Sequence, residues 1–527
     1  MYETWESISD LAALLGRKRV KNKDKTAVLT EGRRLSYEEL DEKSSQVAGG
    51  LKGLGVSKND KIALYMPNSL EFLYLWFGAM KLGAVCVPLN ISLKGPLLKY
   101  QVNDSDAKIA VVSKQLLPQY LEVKDQLENV SVHVADEDVD GFLHLNHLLE
   151  SDKHLPQPEK VSPGHPATIM YTSGTTGPPK GVVLPHYAYI NTALMNSSIA
   201  EAREGDVFYS TVPFFHTSGQ LQIILPALVN DLTAAFDPWF HASQFWKNAA
   251  TYGATVVFLI SSMVNILLKQ PETPYDRRHS VRVAMTGGAT RETWPVFERR
   301  FGVRVLEGYG MTETCAIAIF SRGQDVRVGS VGKPLPYFEM MVVDEDDNEL
   351  PAGKVGELVI RPRRPFVMML EYYKKPDETV KAWRNLWFHT GDLFRRDEDG
   401  YFYVVGRIKE SIRRKGENIS PYEIESVVNE HPAVLESAAV GVPSEVGDED
   451  VKVYVKLKPG ASIDHVEFLR WCDKALPYFM VPRYVEVVDE LPKTPTQRIQ
   501  RYLLKERGVG QAFDAVKAGF KPTKPIT

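Results

Sequence analysis

Between residues 61 and 309 the chain repeatedly sets a short apolar run ahead of an amphipathic stretch, and this alternation narrows its possible folds most sharply. KIALYM (61–66) reads as a strand, and PNSLEFLYLWFGAMKLG after it as a helix with Asn68 or Ser69 at its start and Gly83 past its end. AVCVPL (84–89) and KIAVVS (108–113) read as further strands. TVVFLI (255–260) precedes the helical SSMVNILLKQ, VRVAMT (281–286) precedes the helical TRETWPVFERRFG, and VRVLEGYG follows. Apolar runs that do not alternate with polar residues are covered on both faces, which predicts an α/β fold of mostly parallel sheets flanked by helices.

The texture changes after about residue 320, where VGELVIRP and FRRDEDGYFYVVGR read as antiparallel hairpin material turning at DEDG (397–400). After residue 410 a smaller α+β pattern appears: ESAAVGVP and EDVKVYVKLKPG as strands, SIDHVEFLRWCDKAL as a helix, and RYVEVVDEL as the final strand. The expected division is a large unit 1–409, with a small β-barrel-like part over about 320–409, and a small unit 410–527. A chain of 527 residues is too long for one core. Its net charge of -4 gives no general nucleic-acid footprint. Cys86, Cys315 and Cys472 are too few and too scattered for a disulfide framework or a zinc cluster. The acidic N-terminus does not read as a signal peptide, and FLYLWFGAM (72–80) is too short to span a bilayer. No integral membrane segment and a reducing, cytoplasmic setting are expected; the oligomeric state, a homodimer among the options, is left open.

YTSGTTGPPKGVV (171–183) carries the strongest chemical signal. It follows the apolar run ATIMY and gathers Thr172, Ser173, Gly174, Thr175, Thr176 and Gly177 ahead of Lys180. Such a loop leaves backbone N–H groups and hydroxyls free to wrap phosphate oxygens, with the lysine adding a positive charge. The spacing is not that of a Walker A loop.

This stretch resembles the phosphate loop of the adenylate-forming enzymes, which include acyl-CoA synthetases, stand-alone adenylation domains and firefly-type luciferases. Four more segments match in order, so the resemblance spans nearly the whole chain. EGYGMTET (307–314) is similar to a motif whose tyrosine, here Tyr309, stacks on adenine. Its threonine, here Thr312, touches the α-phosphate, and its glutamate, here Glu313, helps hold Mg²⁺; Glu307, Gly308, Gly310 and Met311 join the nucleotide site by the same resemblance. An aromatic face suits a purine, and a hard cation wants carboxylate oxygen. In HTGDLFRRDEDGYFYVVGR (389–407), Asp392 matches an aspartate that accepts both ribose hydroxyls, and Arg407 an arginine that also reaches the ribose. GRIKESIRRKGENISPYEIE (406–425) resembles the family hinge, at Glu410, and the glycine loop after it. Gly416, with Arg414 and Glu417, would line the passage for the pantetheine arm, and RRK (413–415) is either a solvated face or a contact for the phosphates of coenzyme A. In VPFFHTSGQ (212–220), His216 takes the place of a residue gating the carboxylate pocket. The implied acyl-pocket walls are His216, Gly287, Gly288, Ala289 and Gly310, while Phe214, Phe215, Phe258 and Met263 read equally as cavity wall or core.

The family's adenylation lysine falls on LPKTPTQRIQR (491–501), where Arg498 replaces it. Arginine keeps the charge but is bulkier and forked. The resemblance implies a ligase that uses ATP and Mg²⁺ to activate a carboxylic acid as its adenylate and passes the acyl group to coenzyme A. Length and RRKGENIS are similar to the carnitine/crotonobetaine-CoA ligase-like and fatty acyl branches. Delivery to a separate carrier-protein thiol, a luciferase-like oxidase and, on the strength of Arg498, a nucleotide-binding protein with impaired adenylation are the alternatives.

Overall fold

The computed structural model describes residues 10–151, 158–172, 178–289, 291, 293–323, 325–407, 412–445, 447–492 and 499–523. Two large mixed sheets carry the site. In the first, nine strands run in the order Lys333–Pro334, Ile319–Phe320, Arg304–Tyr309, Val283–Gly287, Val256–Ile260, Val207–Ser210, Thr233–Phe236, Thr26–Thr30, Arg33–Ser36. The inner strands pair in parallel; antiparallel pairing is confined to the two ends, at 304–309 with 319–320, 319–320 with 333–334, and 26–30 with 33–36. In the second, eight strands are centred on Lys61–Tyr65, with Val85–Pro88 and Ala107–Val112 parallel to it on either side. Pro166–Thr172 and Lys180–Pro185 form an antiparallel hairpin in this sheet, which brings Thr172 opposite Lys180.

The apolar runs of the sequence become these inner strands because each is buried on both faces: Ile62, Ala63, Leu64 and Tyr65 are all buried, as are Val256, Val257, Phe258 and Leu259. The helix expected after the first run spans Leu70–Lys81, and Ser69 caps it by accepting the Phe72 N–H at 3.1 Å. Gly83 follows its end with φ +64°. Within the stretch expected to be helical over 290–302, Thr293–Phe301 forms a helix, with Pro295 in its first turn, where its missing N–H costs nothing.

Antiparallel strands over Phe338–Arg407 form the expected β-rich part, with Trp387–Arg396 and Phe402–Arg407 joined through the DEDG turn. The hairpin Ile412–Arg414 and Glu417–Ile419 follows, then a four-stranded sheet of Val434–Pro443, Glu449–Leu457, Tyr484–Val487 and Phe513–Asp514. Tyr484–Val487 is therefore not the last strand: Phe513–Asp514 pairs beside it, a two-residue edge too short to show period-two patterning. One apolar cluster runs without a break from Val87 and Leu98 to Val427, Phe468 and Cys472, so the C-terminal elements pack on the second large sheet. Lys94 Nζ adds a bond to the Asp473 carbonyl at 3.1 Å. Glu410 lies outside the described residues.

Behind the second sheet, Lys81 and Asp41 are 5% and 8% exposed and meet at 2.5 Å, with Lys81 also donating to Ser45 Oγ at 2.7 Å. Removing one member strands the other charge away from water. Lys81→Ala is expected to lower unfolding stability by about 3 kcal/mol, toward the lower end for such pairs because Arg19 stays 3.5 Å from Asp41. Urea denaturation checks this; a change under about 1 kcal/mol would show that the pair is effectively solvated.

Candidate active site

Strands 207–210, 256–260, 283–287 and 304–309 all end at one edge of the nine-stranded sheet, and the loops leaving those ends open into a cleft of about 1870 Å³. Ligands in such sheets sit beyond the carboxyl ends of the strands. Tyr171, Thr172 and Lys180 line it from the second sheet, Asp392 from the antiparallel part, and Arg413, Lys415, Gly416 and Glu417 from the C-terminal hairpin.

Glu307 organises the edge. Its carboxylate accepts from the Ala289 N–H at 2.9 Å, the Thr286 hydroxyl at 2.5 Å and the Gly288 N–H, so it ties the turn 287–289 to the neighbouring strand. Gly288 has φ +104°, and a Cβ there would come within 2.7 Å of Ser261 Cβ, so the turn admits no side chain. Burial pushes the Glu307 carboxyl up to about 8, against the hydrogen bonds that favour its charged form. Two residues on, the Tyr309 hydroxyl donates to Asp392 at 2.6 Å, and the Tyr309 ring meets Phe394 edge-on at 4.7 Å. The expected adenine and ribose residues are thus bonded to each other across the cleft. Arg407 pairs with Asp392 through strand register, its backbone opposite that aspartate.

Beyond Tyr309, Thr312 and Glu313 lie in a single 3₁₀ turn. Glu313 is 5% exposed and accepts the Tyr372 hydroxyl at 2.8 Å; burial and that carboxylate push the Tyr372 phenol up, so it stays a neutral donor. Lys180 pairs with Glu378 and stands 4.9 Å from the centre of the Tyr372 ring. Tyr372 therefore joins the two charged groups drawn from segments over a hundred residues apart. Neither it nor Glu378 was legible beforehand, since EYYKKPDET has no spacing that marks a site. Among the described residues no cluster of three or more His, Cys, Asp or Glu could hold a metal by itself. One buried carboxylate beside a lysine fits Mg²⁺ carried on nucleotide phosphates, which needs only one or two protein carboxylates.

His216 lines the cleft, and its Nε2 lies 3.1 Å from Glu417 of the C-terminal hairpin. Gly416 has φ +83° and lies so close to the first sheet that a Cβ would come within 2.3 Å of Ile260 Cδ1. Gly287, Gly288, Ala289 and Gly310 line the same cleft. Phe215, Phe258 and Met263 line it too, whereas Phe214 is core, packed on Phe72 and Phe236. Arg414 departs from expectation. It is 6% exposed, pairs with Asp450 at 3.0 Å and donates to the carbonyls of Phe479 and Val481, so it anchors the hairpin rather than lining a passage. Its strand neighbour Arg413 faces the other way, and Arg413 and the turn residue Lys415 line the cleft. Ser173, Gly174, Thr175, Thr176, Gly177 and Arg498 lie outside the described residues.

Paired α/β sheets opening on one edge, with a nucleotide-type cleft and a C-terminal unit against its mouth, define an enzyme class that handles adenylates. The AMP-binding enzyme family model matches residues 16–373, and the model of the AMP-binding enzyme C-terminal domain matches 423–498. The chain belongs to the AMP-binding enzyme family. The crotonobetaine/carnitine–CoA ligase of Salmonella typhi is 33% identical over 512 residues, covering 94% of this chain and 97% of that protein. Among solved structures, an anthranilate CoA ligase in complex with anthranoyl-AMP aligns with TM-score 0.73 at 27% identity, covering 94% of this chain and 96% of the other. A benzoate CoA ligase from Burkholderia xenovorans aligns with TM-score 0.72 at 26% identity, covering 94% and 99%. Among the described residues no helix is long and apolar enough to cross a membrane.

Glu307→Gln keeps a carbonyl acceptor and removes the titration. Because the folded carboxyl titrates near 8 and an ordinary one near 4.5, the native state holds a proton between those values that the unfolded chain has released. Wild type should therefore lose stability relative to the variant as pH rises from about 4.5 to 8. Urea midpoints at the two ends of that window read it; a wild-type-minus-variant difference independent of pH would contradict the assignment.

Proposed function

We propose that this protein activates a free carboxylic acid with ATP and transfers the acyl group to the thiol of coenzyme A, releasing AMP and pyrophosphate. The observation that carries this reading is the single cleft shared by the nucleotide motifs and by the C-terminal hairpin at Gly416 and Glu417. A site that only bound nucleotide would have no need of the second.

In the first step a carboxylate oxygen attacks the α-phosphorus and pyrophosphate leaves, giving a mixed anhydride with AMP as its leaving group. Lys180, Thr312 and the loop 172–177 are assigned to the phosphates, and Tyr309, Asp392 and Arg407 to the nucleoside. Glu313 would hold Mg²⁺, which supplies charge neutralisation on the phosphates. Lys180 pairs with the partly exposed Glu378, a partner that phosphate oxygens can replace. Arg498 is assigned the role of the carboxylate- and phosphate-bridging cation, a clamp its fork geometry permits. In the second step the coenzyme A sulfur attacks the acyl carbonyl and AMP leaves. Most of the acceleration is positioning and charge stabilisation.

We assign residues 1–409 to acid and nucleotide binding and 410–527 to a mobile unit hinged at Glu410. The apposition of Gly416 to Ile260 and of Glu417 to His216 supports a pose suited to thiol attack, with Arg413 and Lys415 placed for the coenzyme A phosphates. The other pose would bring Arg498 to the cleft. The buried cysteines Cys86, Cys315 and Cys472, all unpaired, support a cytoplasmic setting.

Purified protein with ATP, Mg²⁺, coenzyme A and a panel of betaine, aryl and fatty acids should release AMP with at least one acid. Arg498→Ala should slow adenylation by about 10²–10³-fold while sparing acyl transfer from a supplied acyl-adenylate, and Arg498→Lys should retain it. Gly416→Ala should do the reverse, sparing adenylation and slowing transfer. AMP from no acid would sink the reading, and equal adenylation by wild type and Arg498→Ala would remove Arg498 from the mechanism.

A further inference from the structure

The wall of the cleft that carries Asp392 is built from a break in the register of two antiparallel strands. Glu357 pairs with Leu393 and Val359 with His389, so the single residue Leu358 faces three, Thr390, Gly391 and Asp392. The extra residues form a β-bulge, a device that re-aims a side chain beside a site. Here the re-aimed side chain is Asp392, which is buried, accepts the Tyr309 hydroxyl at 2.6 Å and lines the cleft. Gly391, at φ +72°, supplies the left-handed residue that the bulge needs.

One carboxylate on the neighbouring strand holds this bulge. Glu357 accepts the Gly391 N–H at 2.9 Å through one oxygen, and its other oxygen lies 2.9 Å from His389 Nδ1. A carboxylate only accepts, so the ring carries its proton on Nδ1. The Glu357 and His389 side chains are 14% and 8% exposed. His389 is boxed in on its other side, where Asp347 stands 3.8 Å from Nε2 and is itself joined by Arg384 at 2.7 Å. Thr390 closes the bulge, donating its hydroxyl to the Leu358 carbonyl at 2.7 Å and accepting the Asp392 N–H at 3.1 Å. A bulge disrupts the ladder between its strands, so the shape of this one rests on side-chain bonds, and Glu357 makes two of them.

We propose that Glu357 is a positioning residue for nucleotide selection: by holding Gly391 and His389 together it fixes the direction in which Asp392 enters the cleft, and with it the ability to tell ATP from nucleotides that lack a ribose hydroxyl. This rests on the assignment of Asp392 to the nucleoside given above. Glu357 lines the cleft too, but each of its oxygens meets a protein donor, so it acts through Asp392 rather than on the nucleotide. Two hydroxyls on adjacent ribose carbons both donate to one carboxylate only over a narrow range of its orientation. A bulge left to shift would keep an acid near the ribose, with its charge, yet lose the angle that makes both bonds. The loss therefore falls on discrimination between nucleotides, which a residue that only supported the fold would not touch.

The test measures Kd by calorimetry for ATP, 2′-deoxy-ATP and 3′-deoxy-ATP, with Mg²⁺ and no acid present. Wild type should bind ATP more tightly than either deoxy nucleotide by on the order of tenfold to a hundredfold, the effect of one hydrogen bond to a charged acceptor. Glu357→Ala should lower that ratio by roughly threefold to tenfold, the coupling expected within one hydrogen-bond network. Glu357→Gln should keep most of it, because its carbonyl can take the Gly391 N–H and its amide can donate to His389 in the other tautomer. In an Asp392→Asn background Glu357→Ala should change the ratio no further. Lys81→Ala, destabilised behind the other sheet, should keep the wild-type ratio, which separates positioning from a loss of stability. His389→Ala removes the second contact of the carboxylate, should act in the same direction, and stands in if Glu357→Ala does not fold. A wild-type ratio kept by the folded variant, or lowered just as much in the Asp392→Asn background, overturns the proposal and leaves the assignment of Asp392 intact. A wild-type ratio near one overturns that assignment and the proposal with it, while the ligase reading still stands on AMP release. No binding of ATP by wild type overturns all three.

Discussion

The buried carboxyl of Glu307 is the interaction on which the site depends. It reaches from one strand end to the turn leaving its neighbour and takes up the Gly288 and Ala289 N–H groups and the Thr286 hydroxyl. Those donors would otherwise point into a cavity with no partner, and a buried donor left unmade costs more than a typical bond returns. With the turn fixed, the strand continues to Tyr309 and then to Thr312 and Glu313, so one acid sets the spacing between the 287–289 turn and those residues in the cleft. The carboxyl is paid in desolvation, which is why burial drives its titration up to about 8.

A second organising centre is Tyr372. Its hydroxyl donates to Glu313 and its face receives Lys180, so two opposite charges are held near one another without neutralising each other directly. Lys180 instead pairs with Glu378, which is 38% exposed, so the pair is wet and readily exchanged. In the proposed reaction a triphosphate arriving with its metal would offer a stronger partner to each group.

The C-terminal unit contributes to the cleft through contacts of different kinds. Arg414 is buried within that unit and fixes the hairpin to the strand beginning at Glu449, through Asp450, and to the Phe479 and Val481 carbonyls. Gly416 and Glu417 face outward to Ile260 and His216. The hairpin is therefore fixed within its own unit and meets the first sheet through Gly416 and His216 through Glu417.

Sequence alone determined the fold class, because short, β-branched apolar runs such as VVFLI, set between amphipathic stretches, read as strands covered on both faces. It also marked Lys180, Tyr309, Glu313 and Asp392, whose neighbours in the chain form dense, ordered motifs. It left open what depends on contacts between distant segments. Arg414 looked like one of three exposed cations until Asp450 buried it. Phe214 and Phe215 were indistinguishable until one packed between Phe72 and Phe236 and the other faced the cleft. Tyr372 and Glu378 carried no signal, since a tyrosine or an acid acquires a role only from what surrounds it. Local patterning encodes which face of an element is buried; only the tertiary structure decides which groups, hundreds of residues apart, are left facing each other across a cleft.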